Sequence, residues 1–308
     1  MKFVLRLIRW KNLLLIALAQ ILIKYALLEP FEASYGVETA LTPLGLTVLV
    51  LATLCIAAAG YIINDIQDLE ADSINKPNKV IIEKYISEKT ATNLFITFNV
   101  VGVALGYYLA YSINQTGFFA LFVIVSGLLY VYSTYLKQII LVGHIIISIL
   151  VGFSLILVAL FDLLPMITDS NREIQVFFLG LIKDYALFAF MINLLREMVK
   201  SIEDIEGDHK MGIQSLPIVL GRERASKLIA ILSLIPTCLI IFYVSSYLFK
   251  QTFVVVYFLV LVIAPMIYVN IKLFSADKKK DYKHISQILK GIMLAGILSL
   301  LLYNFILN

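Results

Sequence analysis

Two groups of carboxylates stand beside membrane-length apolar runs in this chain. The pattern Asn64-Asp65-x-x-Asp68-x-x-x-Asp72 follows one such run, and Asp204-x-x-x-Asp208 follows another far downstream. Carboxylates beside hydrocarbon are costly, and where they are kept they mark function. A helix turns by about 100° per residue, so Asn64, Asp68 and Asp72 trace one slowly drifting stripe with Asp65 beside it. Asp204 and Asp208 repeat the four-residue step. Oxygen ligands suit a hard divalent cation. Mg2+ usually takes one or two carboxylates and completes its shell with water and substrate phosphate. Two acid-rich helix ends facing each other therefore predict a diphosphate site assembled through Mg2+.

The elements that must position these groups are membrane helices. Of the 308 residues 61% are hydrophobic, and the mean hydropathy is +0.93. That composition excludes a soluble globule. A spanning helix needs about 20 mostly apolar residues. The rule gives about nine spans, centred near residues 20, 54, 101, 126, 149, 187, 236, 261 and 297. The expected fold is all-α, a single multi-spanning membrane domain over residues 1–308. Lys183 and Asp184 interrupt the sixth span and are expected to pair with each other or with a neighbour. Cys55 and Cys238 lie in apolar runs and read as buried small hydrophobes. The basic N-terminus lacks a small-residue cleavage site and reads as the flank of a retained first span.

Positive charge fixes the expected orientation. Lys2, Arg6, Arg9 and Lys11 precede the first span, and Lys76, Lys79, Lys84 and Lys89 lie between the second and third. Lys137 follows the fourth, Arg196 to Lys227 surround the loop after the sixth, and Lys272 to Lys283 precede the ninth. With the N-terminus inside, all fall on the cytoplasmic side. The opposite loops hold Glu29, Glu32, Glu38, Asp162, Asp169 and Glu173, with Arg172 and Lys250 as the cations. Both acidic groups are thus expected to face the cytoplasm. The bland alternatives are a solvated helix end for the first group and a salt-bridged surface helix for the second. Asp at a helix C-terminus opposes the macrodipole, which weakens the first alternative. Lys76 and its neighbours would neutralise phosphate oxygens that a metal leaves unbound.

In combination these motifs resemble the UbiA superfamily of intramembrane prenyltransferases. The pattern N-D-x-x-D-x-x-x-D is matched by Asn64, Asp65, Asp68 and Asp72. The pattern D-x-x-x-D followed by G-I-x-S-x-P is matched by Asp204, Asp208, Gly212, Ile213, Ser215 and Pro217. A third stretch, Y-S-x-x-L-K, is matched from Tyr132 to Lys137. The resemblance implies about nine helices around a central cavity. It implies two Mg2+ ions held by Asn64, Asp68, Asp72, Asp204 and Asp208, binding the diphosphate of a prenyl donor, with Asp65 close by. Asp68 and Asp204 are the expected catalytic acids. Lys137 and Tyr132 would contact the diphosphate or shape the acceptor pocket. Arg9 and Asn12 resemble a family position near the active site, and Arg196 and Lys200 are expected to contact substrate. The partners implied are a prenyl diphosphate, a lipophilic acceptor and the bilayer of a bacterial or archaeal-type cell, with no nucleic acid.

The run Arg196-Glu197-x-x-Lys200-x-x-Glu203-Asp204-x-Glu206-Gly207-Asp208 looks most like the branch that transfers geranylgeranyl to geranylgeranylglyceryl phosphate, as does Ile74-Asn75-Lys76-Pro77. Ser201 and the stretch Val80-Ile81-Ile82-Glu83-Lys84 depart from that branch. An aromatic-acid prenyltransferase of quinone synthesis, or another transferase of the UbiA type, is the alternative within the superfamily. An ion-coupled transporter is the alternative outside it, since intramembrane acids also mark ion pathways. Against a transporter, the acids cluster at span ends on one side, with no broken mid-membrane helix evident. His144, after Gly143, reads as structural or as a base toward an acceptor hydroxyl.

Overall fold

In the computed structural model, residues 2–210, 212 and 214–307 are described. Ile213 of the second motif lies outside them. Regular structure among the described residues is helical, apart from one isolated bridge between Ile82 and Ile86. Among them nine helices are long and apolar enough to cross a membrane. They are Trp10–Tyr35, Pro43–Gln67, Glu88–Ser112, Thr116–Thr134, Val142–Met166, Arg172–Glu203, Arg222–Leu248, Thr252–Ser275 and Lys279–Ile306, here the first to ninth spans. Each overlaps its expected position, and the chain is an all-helical integral membrane protein.

Local chemistry sets where the spans begin. The second opens on Thr42, whose Oγ1 accepts from the Gly45 amide at 3.1 Å, with Pro43 in the first helical position. The third opens on Ser87, whose Oγ accepts from the Thr90 amide at 3.3 Å. The first span is preceded by a short helix, Lys2–Leu7, and the break between them is Arg9 at φ 51°, ψ 50°. A left-handed conformation is unfavourable for a side-chain-bearing residue and persists only where surrounding contacts hold it.

The chain divides into two compact units. The first comprises residues up to Gln138 together with Ser154–Ile182. Near its buried middle, Gln20 Nε2 donates to the Ser154 carbonyl at 2.8 Å and to Thr53 Oγ1 at 3.2 Å. Toward one end, Lys24 Nζ lies 3.1 Å from Asp162 Oδ2, and both side chains are almost fully buried. Asp162 also accepts from the Leu41 amide at 2.7 Å, tying the loop before the second span to the fifth. Asp162 was expected in a solvated loop. It lies instead inside the fifth span, because its charge is matched by Lys24 and by backbone donors. At the other end, Leu7, Ile62, Ile81, Ile82 and Ala91 form a small core backed by Phe3, Ile66 and Leu69. Phe3 stacks on Tyr85 with centroids 4.0 Å apart. This core seats the end of the second span, where the first acids stand.

The second unit comprises Ile139–Phe153 and the chain from Lys183 onward. Its core joins Ile192, Leu195 and Val199 of the sixth span to Ile229, Met266, Tyr282, Ile285 and Leu289. Asp184 lies beside the Tyr243 side chain, the neighbour that its place inside a span requires. Cys238, expected to be buried, is exposed, and Cys55 is half-buried; both are free thiols. An apolar position in a spanning helix can face lipid as readily as protein, because acyl chains are as apolar as the core.

Gly152 of the fifth span marks a close helix crossing. A Cβ there would lie 2.7 Å from the Ala186 carbonyl oxygen of the sixth span. Backbone cannot swing aside as a side chain can, so Gly152→Ala is expected to cost about 1–3 kcal/mol. Gly180→Ala meets nothing within 4 Å and is the control. Thermal unfolding in detergent should separate the two variants; equal melting temperatures would refute the close crossing.

Candidate active site

In the first unit the acids straddle a helix break. Asn64 and Asp65 occupy the last turn of the second span, and Asp68 departs from helical geometry at φ −94°, ψ 8°. Asp72 lies in the short helix Leu69–Asn75 that resumes beyond it. Each carboxylate has a defined partner. Lys137 Nζ donates to Asp68 Oδ1 at 2.5 Å, and Asn64 Nδ2 donates to Asp68 Oδ2 at 2.8 Å. The Lys137 side chain is 12% exposed and that of Asp68 23%, so solvent screens this pair only in part. Arg9 Nη2 donates to Asp65 Oδ1 at 2.7 Å. The same guanidinium sits 5.0 Å from the centroid of the Tyr61 ring. Asn12 Nδ2 donates to the Tyr61 hydroxyl at 3.3 Å. Lys76 lies 4.0 Å from Asp72. Burial pushes the Asp72 carboxyl above the ordinary carboxylate range, with Lys76 working against it. Tyr132 lies in the last turns of the fourth span, half-buried.

Thus Asn64, Asp68 and Lys137 form one contact group, and Arg9, Asn12 and Asp65 form another around Tyr61. The cause is local. The break at Arg9 turns the first span so that its opening residues meet the end of the second. Lys137 reaches Asp68 from the short turn Leu136–Gln138 after the fourth.

In the second unit, Asp204 follows the sixth span directly, and Asp208 lies one turn on in the helix Ile205–Lys210. The Asp204 amide donates to the Lys200 carbonyl at 3.0 Å, and the Asp208 amide donates to the Asp204 carbonyl at 3.2 Å. The helical path is therefore carried past the end of the span, keeping the two acids on successive turns. Gly212 then turns the chain at φ 70°, in the left-handed region that favours glycine. Arg196 and Lys200 both bind Glu197 Oε1, at 3.0 Å and 2.7 Å.

The donors of the first group, one amide oxygen and three carboxylates on neighbouring turns, are of the kind a hard cation takes. Among the described residues, no three His, Cys, Asp or Glu side chains converge closely enough to hold an ion by themselves. Mg2+ keeps waters and substrate phosphate among its ligands and needs only one or two carboxylates. Structural zinc, by contrast, demands a closed set of four protein ligands.

Residues 31–305 match the model of the UbiA prenyltransferase family. The chain belongs to this family. It is therefore a membrane prenyltransferase. One relative is a digeranylgeranylglyceryl phosphate synthase of Methanosphaera stadtmanae, 32% identical over 257 residues, covering 82% of this chain and 86% of the relative. A solved structure of a digeranylgeranylglyceryl phosphate synthase is 25% identical, with a TM-score of 0.59 and coverage of 97% of this chain and 98% of the other. A UbiA homologue from Archaeoglobus fulgidus, solved bound to DMAPP and Mg2+, shares the fold at 18% identity and a TM-score of 0.57, covering 97% of this chain and 98% of that one.

Two residues of this family member escaped sequence reasoning. Tyr61 links Arg9 to Asn12, and its only trace in the sequence is a place one turn before Asn64. Glu197 joins Arg196 and Lys200 within the basic–acidic run. The Glu197–Lys200 pair is the i,i+3 contact that helical spacing allows, whereas the Tyr61 contacts join two spans and rest on where side chains point.

Proposed function

We propose that this prenyltransferase moves a geranylgeranyl group from its diphosphate to the free hydroxyl of geranylgeranylglyceryl phosphate, with Mg2+ as cofactor. The relative from Methanosphaera stadtmanae carries the name of that activity over most of both chains, and the run Arg196 to Asp208 supports the same branch. The observation that carries the reading is the partnered acid group at the end of the second span, with Asp65 held by Arg9 and Asp68 by Lys137. Nine alternating spans would put both acid-bearing span ends on the side of the N-terminus, and the lysine and arginine pattern favours the cytoplasm for that side. The two units would then work as one catalytic domain.

Asn64, Asp68, Asp72, Asp204 and Asp208 would hold the metal, with Asp65 kept in place by Arg9. Bound there, Mg2+ would supply Lewis-acid neutralisation of the charge that develops on the departing diphosphate. Lys137 and Lys76 would donate to diphosphate oxygens as the allylic C–O bond lengthens. Charge-assisted bonds of this kind strengthen as the leaving group gains charge. The apolar spans exclude water, which would otherwise capture the carbocation. The acceptor's hydroxyl oxygen then bonds to the allylic carbon, and its proton passes to the departing diphosphate, completing the ether.

The test is purified protein in liposomes with Mg2+ and geranylgeranyl diphosphate, offered geranylgeranylglyceryl phosphate and aromatic acids side by side. Mass spectrometry should find the diprenylated glyceryl phosphate and stoichiometric diphosphate. Prenylation of an aromatic acid alone would replace the acceptor assignment.

A further inference from the structure

Arg9, Asn12, Tyr61 and Asp65 come together within the first unit, where the opening of the first span meets the end of the second. Tyr61 and Asp65 stand four residues apart on the second span, so their side chains share one face of that helix. Both reach Arg9. The guanidinium carbon lies 5.0 Å from the Tyr61 ring centroid, and Nη2 donates to Asp65 Oδ1 at 2.7 Å. The Tyr61 hydroxyl accepts from Asn12 Nδ2 at 3.3 Å. Asn12 is tied to Arg9 in turn, since its amide donates to the Arg9 carbonyl at 2.7 Å. One tyrosine thus touches two residues at the opening of the first span, with its ring on one and its oxygen on the other.

The ion pair is not enough by itself to fix Arg9. The Arg9 side chain is 36% exposed and that of Asp65 20%, so water and salt screen their attraction. The left-handed backbone at Arg9 also works against the arrangement. An aromatic face is the added contact that suits a guanidinium, because its planar, weakly hydrated group stacks on a ring as an ammonium does not. Tyr61 is half-buried, and the five residues before it, Ile56 to Gly60, carry neither ring nor hydroxyl. A tyrosine that only marked the lipid–water boundary would turn its hydroxyl to headgroups or water. This one gives its oxygen to Asn12.

We propose that Tyr61 is a positioning residue for prenyl transfer. Its ring and hydroxyl fix Arg9 and Asn12, and through Arg9 they hold the Asp65 carboxylate in its place at the end of the second span. Tyr61 acts through Arg9 and is assigned no contact with substrate. The proposal rests on the reading of these acids as the Mg2+–diphosphate site, and the test separates the two.

Wild type, Tyr61→Leu, Arg9→Lys and their double variant are compared in liposomes with geranylgeranyl diphosphate, Mg2+ and the acceptor that wild type prenylates. Tyr61→Leu should lower kcat about 3- to 30-fold, the range that a stacked cation covers between exposed and desolvated settings. The acceptor KM should stay unchanged. Arg9→Lys should lose about as much. Adding Tyr61→Leu to it should then cost less than about 2-fold, since lysine has no plane to stack. A tyrosine that only packs the two spans would cost the same in both backgrounds, and that result would overturn the proposal. Tyr61→Phe keeps the ring and should lose only about 3-fold, a loss that disappears in an Asn12→Ala background. If Tyr61→Leu proves unstable, this second cycle decides, and a Tyr61→Phe loss that persists without Asn12 overturns the proposal. The rise in melting temperature given by Mg2+ with inorganic diphosphate needs no turnover. It should be smaller in Tyr61→Leu and Arg9→Lys than in wild type, and preserved in Tyr61→Phe. No rise in wild type would overturn the diphosphate-site reading. A rise in wild type that Tyr61→Leu matches would overturn the positioning role alone.

Discussion

Asp68→Ala is expected to lower kcat by about 10³-fold or more, the upper range for removing one preorganised charge from a site that stabilises a leaving anion. The geometry makes Asp68 the junction of its group. Its two oxygens accept separately from Lys137 and Asn64, and its backbone marks the break between the second span and the short helix that carries Asp72. On the proposed site, removing the carboxylate would take away a metal ligand and also release Lys137, whose ammonium would then no longer be aimed. Both losses fall on the transition state, so kcat should drop far more than donor affinity. Asp68 is partly exposed, and thermal stability should change little. Single-turnover rates at saturating Mg2+, with a melting curve as control, make the comparison. A variant within tenfold of wild type would remove Asp68 from the metal site.

The second large effect concerns stability. Asp162→Ala is expected to cost about 3–5 kcal/mol, because it strands the Lys24 ammonium in an apolar interior. Lys24 is 4% exposed and Asp162 0%, so water cannot take over the lost interaction. The Leu41 amide would lose its acceptor as well. Replacing both partners, as Lys24→Met with Asp162→Leu, should recover much of the loss, since the desolvation of two charges disappears with them. Equilibrium unfolding in mixed micelles measures both variants. A single substitution as mild as the double one would show that the pair contributes nothing specific to the fold.

The nine spans were legible because a bilayer demands a long apolar run for each crossing, and hydropathy records that demand directly. The acids were legible for the opposite reason, as charges where the run should tolerate none. What hydropathy hides is direction. Cys238 and a core leucine look alike in sequence, yet one faces outward and the other inward. Asp162 was misplaced because its partner lies 138 residues away in the first span, beyond any local window. Arg9 was marked as a site residue, but its left-handed backbone and its grip on Asp65 belong to tertiary structure. Tyr61 and Glu197 are of the same kind, ordinary residues whose roles come from what they touch.

The pairings at the end of the second span also bear on how the chain is assembled in the membrane. Asp65 follows its guanidinium partner by 56 residues, so Arg9 has already been synthesised when the second span emerges. Asp68 waits for an ammonium made 69 residues later, after the fourth span. Until then one carboxylate at the bilayer boundary is neutralised from within and the other depends on water. The helical hairpin formed by the first two spans can therefore settle early, whereas the Asp68 turn acquires its final shape only when the fourth span arrives. The order of synthesis is thus an order of charge compensation, in which the Asp68 turn is completed after the Asp65 pair.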